Sequence, residues 1–551
     1  MKRFFSLLCC VACAVPALAD RPNIIVVLLD DIGTGWVPPY AERLEVNDIE
    51  PEIFEAYKRA RGHQGNINLE AHLKAARECM PTLAKLADEG VVFDRAFATA
   101  SLCAPSRAGL LTGSFQQQWG AYWNKDVDDF GIPADRVVIA EPLQAAGYRT
   151  GIVGKWHAAK QDSRIMEKLW VEELGESLPV HKHYNGRWAE LSPLLKKTAW
   201  KTSSMPGQHP LDRGFDYYFG YNSHDDDDYR SKTLWDGWDL VPQRPKGEFL
   251  TDLFNKKAVD FIDRSLETDQ PFFLYYAPKT LHGGIRRPPE AYVAAFDTGN
   301  NFTNEYAGHL LALDRGLGMI METLHGHGET DNTLIIFSSD NGCTLYYVPP
   351  YNAPNRGGKG TGWLGGLNVP FVVWQSGAIR PRITDEIVSL ADIMPTVLEA
   401  AKVPVPEGID GKSLLPFLEG KTALGPRKSL ASASIHSSRW SYSYEAGGEY
   451  NPQDAQKAPL YAWYLDADHL LMFTTPIKPG LYKNLPEGLP AQTLFFNTAN
   501  DRPQRENLAG QMPEKQLRMQ ASLHEWLSDM AEPITSQQED YRLLLERTEV
   551  K

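Results

Sequence analysis

The chain has 551 residues, 43% of them hydrophobic and 23% charged, with no low-complexity tract. That is the makeup of a globular protein with room for one large core and a smaller satellite. Its formal net charge of −14 argues against nucleic acid as a partner, so an anionic ligand has to be drawn by a local positive pocket. The first element in chain order is an export signal over residues 1–19: Lys2 and Arg3 supply charge, Phe4 to Val15 an apolar stretch, and Ala17-Leu18-Ala19 a cleavage site before Asp20. This implies a periplasmic or secreted protein. Lipid anchoring at Cys13 fits less well, because Cys10 stands where a lipobox usually has Leu. Loss of Lys2 and Arg3 moves the charge by two units, from −14 to −16. No later apolar run is long enough for a membrane span. Three of the six cysteines fall in the signal, leaving Cys79, Cys103 and Cys343; an exported protein with so few is no disulfide scaffold.

The next elements are short apolar runs that read as strands buried on both faces: Ile24–Leu29, Arg149–Val153, Phe272–Tyr276, Leu334–Phe337 and Pro370–Trp374. Helical patterns lie between them at Pro81–Glu89, Val138–Ala146, Phe254–Leu266 and Glu305–Leu324. The alternation predicts an α/β fold, a mixed and mainly parallel sheet sandwiched by helices, over residues 20–420. Four of the five strands run directly into chemically capable residues: Asp30-Asp31, Lys155 and His157, Lys279 and His282, and Asp340-Asn341. Ligands of open α/β sheets bind beyond the carboxyl ends of the strands, so these four clusters predict one site. Two insertions, Trp36–Glu78 and Gln161–His209, the second with Trp188, Trp200 and His181-Lys182-His183, read as loops over a pocket mouth or as solvated decoration. Residues 421–551 change character. Strand-like segments at Leu460–Thr475 and Thr493–Phe496 and an amphipathic helix at Glu514–Asp529 predict a smaller C-terminal α+β domain with an antiparallel sheet.

The most informative stretch is Cys103-Ala104-Pro105-Ser106-Arg107-Ala108-Gly109-Leu110-Leu111-Thr112-Gly113. Pro105 suits the first turn of a helix and Gly113 its end, which places Cys103 beside a helix N-terminus that favours an anion. Asp30, Asp31, Asp340 and Asn341 offer three carboxylates and an amide oxygen, a hard-oxygen shell suited to Ca²⁺, with Mg²⁺ the second choice. Gly154-Lys155-Trp156-His157, Arg356 to Thr361 and Gly365 to Pro370 complete the set of motifs.

Together these motifs resemble the type I sulfatases, the formylglycine-dependent branch of the alkaline phosphatase superfamily. The resemblance spans roughly residues 21–420, with a looser echo at Leu494–Ala509. It implies an alkaline-phosphatase-like fold and a sulfuric ester hydrolase. It also implies that a maturation enzyme oxidises Cys103 to formylglycine, whose hydrate carries two hydroxyls: one attacks sulfur, the other later expels sulfate. It implies a metal set of Asp30, Asp31, Asp340, Asn341 and residue 103 itself. Arg107 adds positive charge, Lys155 and Lys359 hold sulfate oxygens, and His157 hydrogen-bonds the formylglycine hydroxyl and helps remove its proton. The proton donor to the leaving group in the family follows Ala-Pro; here that position is Lys279, with His282 three residues on. His282 is preferred, because His titrates near neutrality. Ser223 is a further candidate beside the sulfate. The acidic run Asp225–Asp228 reads as a solvated loop or as a binder of substrate hydroxyls. Two positions depart from the family: Leu364 stands where many members have Glu, and Asn368 where many have Arg.

With the export signal and abundant Trp and Tyr, the expected substrate is a sulfated saccharide, cleaved in an exo manner at a galactose or N-acetylhexosamine. The alternatives are a broad arylsulfatase, a phosphoesterase of the same superfamily (which would carry Thr or Ser at 103), and a catalytically silent glycan-binding protein.

Overall fold

The computed structural model describes residues 21–51, 54, 67–160, 202–223, 227–229, 234–241, 247–344, 348–423, 425–435, 459–479 and 487–550. Residues 1–19, read above as an export signal, part of the first insertion, most of the second with His181-Lys182-His183, Trp188 and Trp200, and Asp225 and Asp226 lie outside them.

Fourteen strands are described: β1 Asn23–Leu29, β2 Val91–Phe97, β3 Arg149–Lys155, β4 Tyr217–Tyr221, β5 Leu234–Asp236, β6 Asp239–Leu240, β7 Phe272–Ala277, β8 Thr333–Ser339, β9 Phe371–Trp374, β10 Arg382–Ser389, β11 Ser429–Ile435, β12 Leu460–Asp466, β13 His469–Thr474 and β14 Thr493–Asn497. The first ten form one sheet in the order β10-β2-β9-β8-β1-β7-β3-β4-β5-β6. At its centre β8, β1, β7, β3 and β4 are parallel neighbours, while β9 runs antiparallel to both β8 and β2. The mainly parallel reading of the sheet holds, with β9 reversed on one side and β5 reversed against β4 and β6 at the other.

β1 shows why the central strands read as uninterrupted apolar runs. Ile24, Val26 and Leu28 pack into one core layer, with Leu110 and Leu111 of the Cys103–Thr112 helix and Val397 of the Ile393–Ala400 helix. Ile25, Val27 and Leu29 face the opposite layer, with Leu83 of the Pro81–Glu89 helix, Phe254 of Leu250–Leu266 and Leu313 of Asn301–His327. Each fully buried aliphatic of this kind contributes about 1.5–3 kcal/mol. Helices on both faces leave no position for a polar side chain until the strand ends.

The remaining strands form an antiparallel sheet, β11-β12-β13-β14. One face packs on the Pro513–Ser528 and Gln538–Thr548 helices through Met519, Leu523, Leu527 and Leu544. The other carries Tyr461, Trp463 and Met472 against Phe97, Trp363 and Leu364 of the larger layer. The contact bears on the site, because the Ser101 hydroxyl, two residues before Cys103, lies 2.8 Å from the Tyr461 hydroxyl. Cys79, Cys103 and Cys343 are all buried free thiols. No described helix is long and apolar enough to cross a membrane.

Candidate active site

The four expected clusters belong to four adjacent parallel strands, β8, β1, β7 and β3, and so emerge side by side at one sheet edge. β1 delivers Asp30 and Asp31, β8 delivers Asp340 and Asn341, β3 ends in Lys155, and the turn after β7 carries His282. Backbone bonds tie the ends together: Asp340 N–H donates to the Leu29 carbonyl at 3.1 Å, and Asp30 N–H to the Thr280 carbonyl at 3.1 Å. Gly154 has φ +115°, and a Cβ there would collide with the Ala277 carbonyl. Only glycine lets β3 lie this close to β7 while turning Lys155 inward. Gly342 is pressed against the Gly365 backbone in the same way, which explains the glycine after Asp340-Asn341 by close approach as much as by a turn.

Opposite this edge, Cys103 opens the Cys103–Thr112 helix and Gly113 closes it with φ 62°. Cys103, Arg107, Lys155, His157, Asp30, Asp31, Asp340 and Asn341 are all buried. Each carboxylate meets a cation: Lys155 Nζ lies 2.8 Å from Asp30 Oδ2, Lys359 Nζ 2.6 Å from Asp31 Oδ1, and Arg107 Nη2 2.8 Å from Asp340 Oδ2. Asn341 Nδ2 donates to Asp31 Oδ1 at 2.8 Å, and Lys359 Nζ lies 3.8 Å from Cys103 Sγ.

The charges shape one another. Burial would raise the Asp30 carboxyl, but Lys155, His282 and Arg107 outweigh it and hold it low. Asp340 goes the other way, pushed up to about 7 by burial and by the negative charge of Asp30. Burial likewise opposes ionisation of Cys103, yet Lys155, Lys359 and His157 pull its thiol well below the ordinary range. The pocket around residue 103 therefore favours an anion. Lys359 is held charged by Asp31 and Cys103 against the desolvation that would depress it.

Two ligand oxygens of the expected metal set, Asp30 Oδ1 and Asn341 Oδ1, are buried without a hydrogen-bond partner among the described residues. Leaving such atoms unsatisfied costs about 1–3 kcal/mol each. Donor atoms of Asp30, Asp31 and His282 lie within 4.8 Å of one another. Two orphaned hard oxygens in a set of three carboxylates and an amide fit a divalent oxygen-seeking cation.

All the expected residues from Asp30 to Lys359 that carry charge meet in this cluster, and His282 joins them. Lys279 does not; its Nζ lies 3.1 Å from Asp228 Oδ1 in a buried pair. Asp228 is thus a buried ion-pair residue and not part of a solvated loop, and its neighbour Asp227 holds Arg286 Nη2 at 2.6 Å. Ser223 follows β4, two residues beyond Tyr221, the strand partner of Lys155, and so sits at the same sheet edge. Leu364 is buried against the second sheet, and Asn368 Nδ2 donates to the Ala96 carbonyl at 2.9 Å. The two positions that depart from the family are therefore packing residues here.

Two contacts were not legible in the sequence. The Asn124–Phe130 helix presents Asn124 and Asp128, four residues apart and on one face. Asn124 Nδ2 lies 3.5 Å from Cys103 Sγ, and its Oδ1 accepts from Ala104 N–H at 3.1 Å. Asp128 Oδ1 lies 3.2 Å from His157 Nε2. Burial would depress His157, but Cys103 and Asp128 raise it. No motif spacing marks these positions.

A family model described as Sulfatase matches residues 22–403. The chain is 29% identical over 521 residues to the Escherichia coli (strain K12) protein named uncharacterized sulfatase YdeN, covering 94% of this chain and 87% of that one. It is 27% identical over 427 residues to N-acetylgalactosamine-6-sulfatase of Mus musculus, covering 72% and 66%. The solved structure of Ps i-CgsB in complex with k-i-k-neocarrahexaose superposes with a TM-score of 0.66 at 21% identity, over 95% of this chain and 98% of that one. That likeness establishes the alkaline-phosphatase-like fold.

Proposed function

The chain belongs to the sulfatase family and hydrolyses sulfate esters, and we propose that its substrate is a sulfated glycan, attacked in an exo manner at a galactose or N-acetylhexosamine. The enzyme in this reading is exported and matured by conversion of Cys103 to formylglycine. The observation that carries it is the charged pocket around residue 103, at a helix N-terminus and at the ends of four parallel strands: Lys359 Nζ lies 3.8 Å from Cys103 Sγ, and Lys155, Lys359 and Arg107 each pair with one of the carboxylates Asp30, Asp31 and Asp340. A relative named for N-acetylgalactosamine 6-sulfate and a fold neighbour holding a carrageenan-type hexasaccharide support the glycan class.

Asp30, Asp31, Asp340 and Asn341 would hold Ca²⁺, with the side chain of residue 103 beside them. The bound cation supplies positive charge for the transferring sulfuryl group. Carboxylates engaged in this way leave the ammonium groups of Lys155 and Lys359 for sulfate oxygens, a preorganised arrangement that costs no reorganisation during the reaction. His157, against residue 103, accepts the proton of the attacking hydroxyl, and Asp128 orients the ring and supports its positive charge. Asn124 fixes the rotamer of residue 103. His282 gives a proton to the departing sugar oxygen.

The test is sulfate release by matured enzyme from a panel of monosulfated galactoses and N-acetylhexosamines, beside 4-nitrophenyl sulfate. A saccharide with kcat/KM above that of the aryl ester is expected. Turnover of the aryl ester alone would overturn the glycan reading.

A further inference from the structure

The turn that carries His282 runs from Lys279 at the end of β7 to Arg286, and its apex is Gly283-Gly284, with Gly284 at φ 78°. Two successive glycines leave this turn with little backbone stiffness of its own. A single carboxylate spans its base. Asp228 Oδ1 accepts from Lys279 Nζ at 3.1 Å, and Asp228 Oδ2 accepts from Arg286 N–H at 2.8 Å. The Asp228 carbonyl in turn accepts from Leu250 N–H at 2.8 Å, which fixes the clamp to the start of the Leu250–Leu266 helix. Both members of the ion pair are buried, with side-chain exposures of 3% for Lys279 and 5% for Asp228. Inside the turn, His282 N–H donates to the Lys279 carbonyl and Leu281 N–H to the Asp30 carbonyl, both at 2.8 Å. The position of His282 against Asp30 is thus set from two sides, by the strand end and by Asp228.

We propose that Asp228 is a positioning residue for the His282 proton donor, a two-point clamp closing the base of the turn, with Lys279 as its counter-ion. Lys279 stands where the family resemblance puts a histidine, and the structure gives it a holding role while the proton-donor role passes three residues on. The inference rests on the reading of His282 as general acid. Misplacement of a reacting group by about 1 Å costs on the order of a hundredfold in rate, so a clamp two bonds removed from the chemistry has a measurable signature.

The experiment compares kcat for the fastest monosulfated hexose of the panel with kcat for 4-nitrophenyl sulfate in matured enzymes. The variants are Asp228→Asn, the charge-free pair Asp228→Asn/Lys279→Met, His282→Ala, and Asp228→Asn/His282→Ala. The charge-free pair leaves no uncompensated buried charge and guards against misfolding; thermal unfolding is recorded for all four. The nitrophenolate leaves without help, so only the sugar reaction needs the donor in place. Expected is a loss of about tenfold to a hundredfold on the saccharide in both Asp228 variants, a change of less than about threefold on the aryl ester, and no further saccharide loss when Asp228→Asn is added to His282→Ala. Equal losses on the two substrates, or an additive loss in the His282→Ala background, would overturn the clamp. A substrate gap in His282→Ala with none in the Asp228 variants would overturn the clamp alone. No gap in His282→Ala would overturn the general-acid reading and the clamp with it.

Discussion

Lys155→Met separates the two tasks assigned to the lysine, competitor for Asp30 and ligand for sulfate. Lys155 Nζ and Asp30 Oδ2 are 2.8 Å apart and fully buried. At an effective dielectric of about 20 their attraction is about 6 kcal/mol. Arg107 Nη2 at 3.7 Å remains to compensate Asp30 in the variant, so the metal-free protein should lose about 3 kcal/mol, the lower end for a broken buried pair. With a divalent cation on Asp30 the lost ammonium matters less, and about 1 kcal/mol is expected, mostly desolvation and packing. The thermodynamic cycle then requires the difference of about 2 kcal/mol to reappear as metal affinity, about thirtyfold tighter in Lys155→Met. Urea unfolding with and without Ca²⁺ measures the first pair of numbers, and calorimetric titration of stripped protein measures the last. Turnover should be lost despite the tighter metal, because the sulfate has lost a ligand. Weaker metal binding in the variant, or equal destabilisation with and without metal, would refute the reasoning.

Exhaustive chelation should abolish turnover and lower the unfolding temperature, with recovery on adding Ca²⁺; unchanged turnover in protein shown to be metal-free would contradict the assigned ligands. Gly154→Ala should destabilise the fold by more than about 2 kcal/mol, because a Cβ meets the Ala277 carbonyl at a left-handed backbone position, and thermal unfolding checks it. Asp128→Asn should lower kcat roughly tenfold or more with little change in KM, as expected when the orientation and charge of a proton acceptor are disturbed; an effect confined to KM would count against the His157 pairing.

The central sheet was legible because strands sealed by helices on both faces are apolar between their ends, as Ile24–Leu29 of β1, Phe272–Ala277 of β7 and Leu334–Phe337 of β8 are. Strands nearer the edges were not. β2 carries Asp94 and Arg95 in its middle, and β10 exposes alternate residues in Arg382–Ser389, so neither reads as an apolar run. The cluster itself was legible to the extent that its residues stand directly at strand ends or in the helix motif. Asn124 and Asp128 carry no such marker, since a seven-residue helix with polar positions four apart is common on any surface. Asp228 was hidden for a different reason. A run of aspartates is ordinarily solvated, and the residue that buries this one, Lys279, comes 51 positions later in the chain.

The account stands most directly on residue 103. Protein expressed with and without the maturation enzyme should be digested and the peptide containing Cys103 weighed, while sulfate release is measured on the same samples. Conversion to formylglycine should lower that peptide by about 18 Da, and specific activity should rise in proportion to the converted fraction, reaching zero in unconverted protein and in Cys103→Ser. Full sulfatase activity in protein whose Cys103 remains an unmodified thiol would contradict the account.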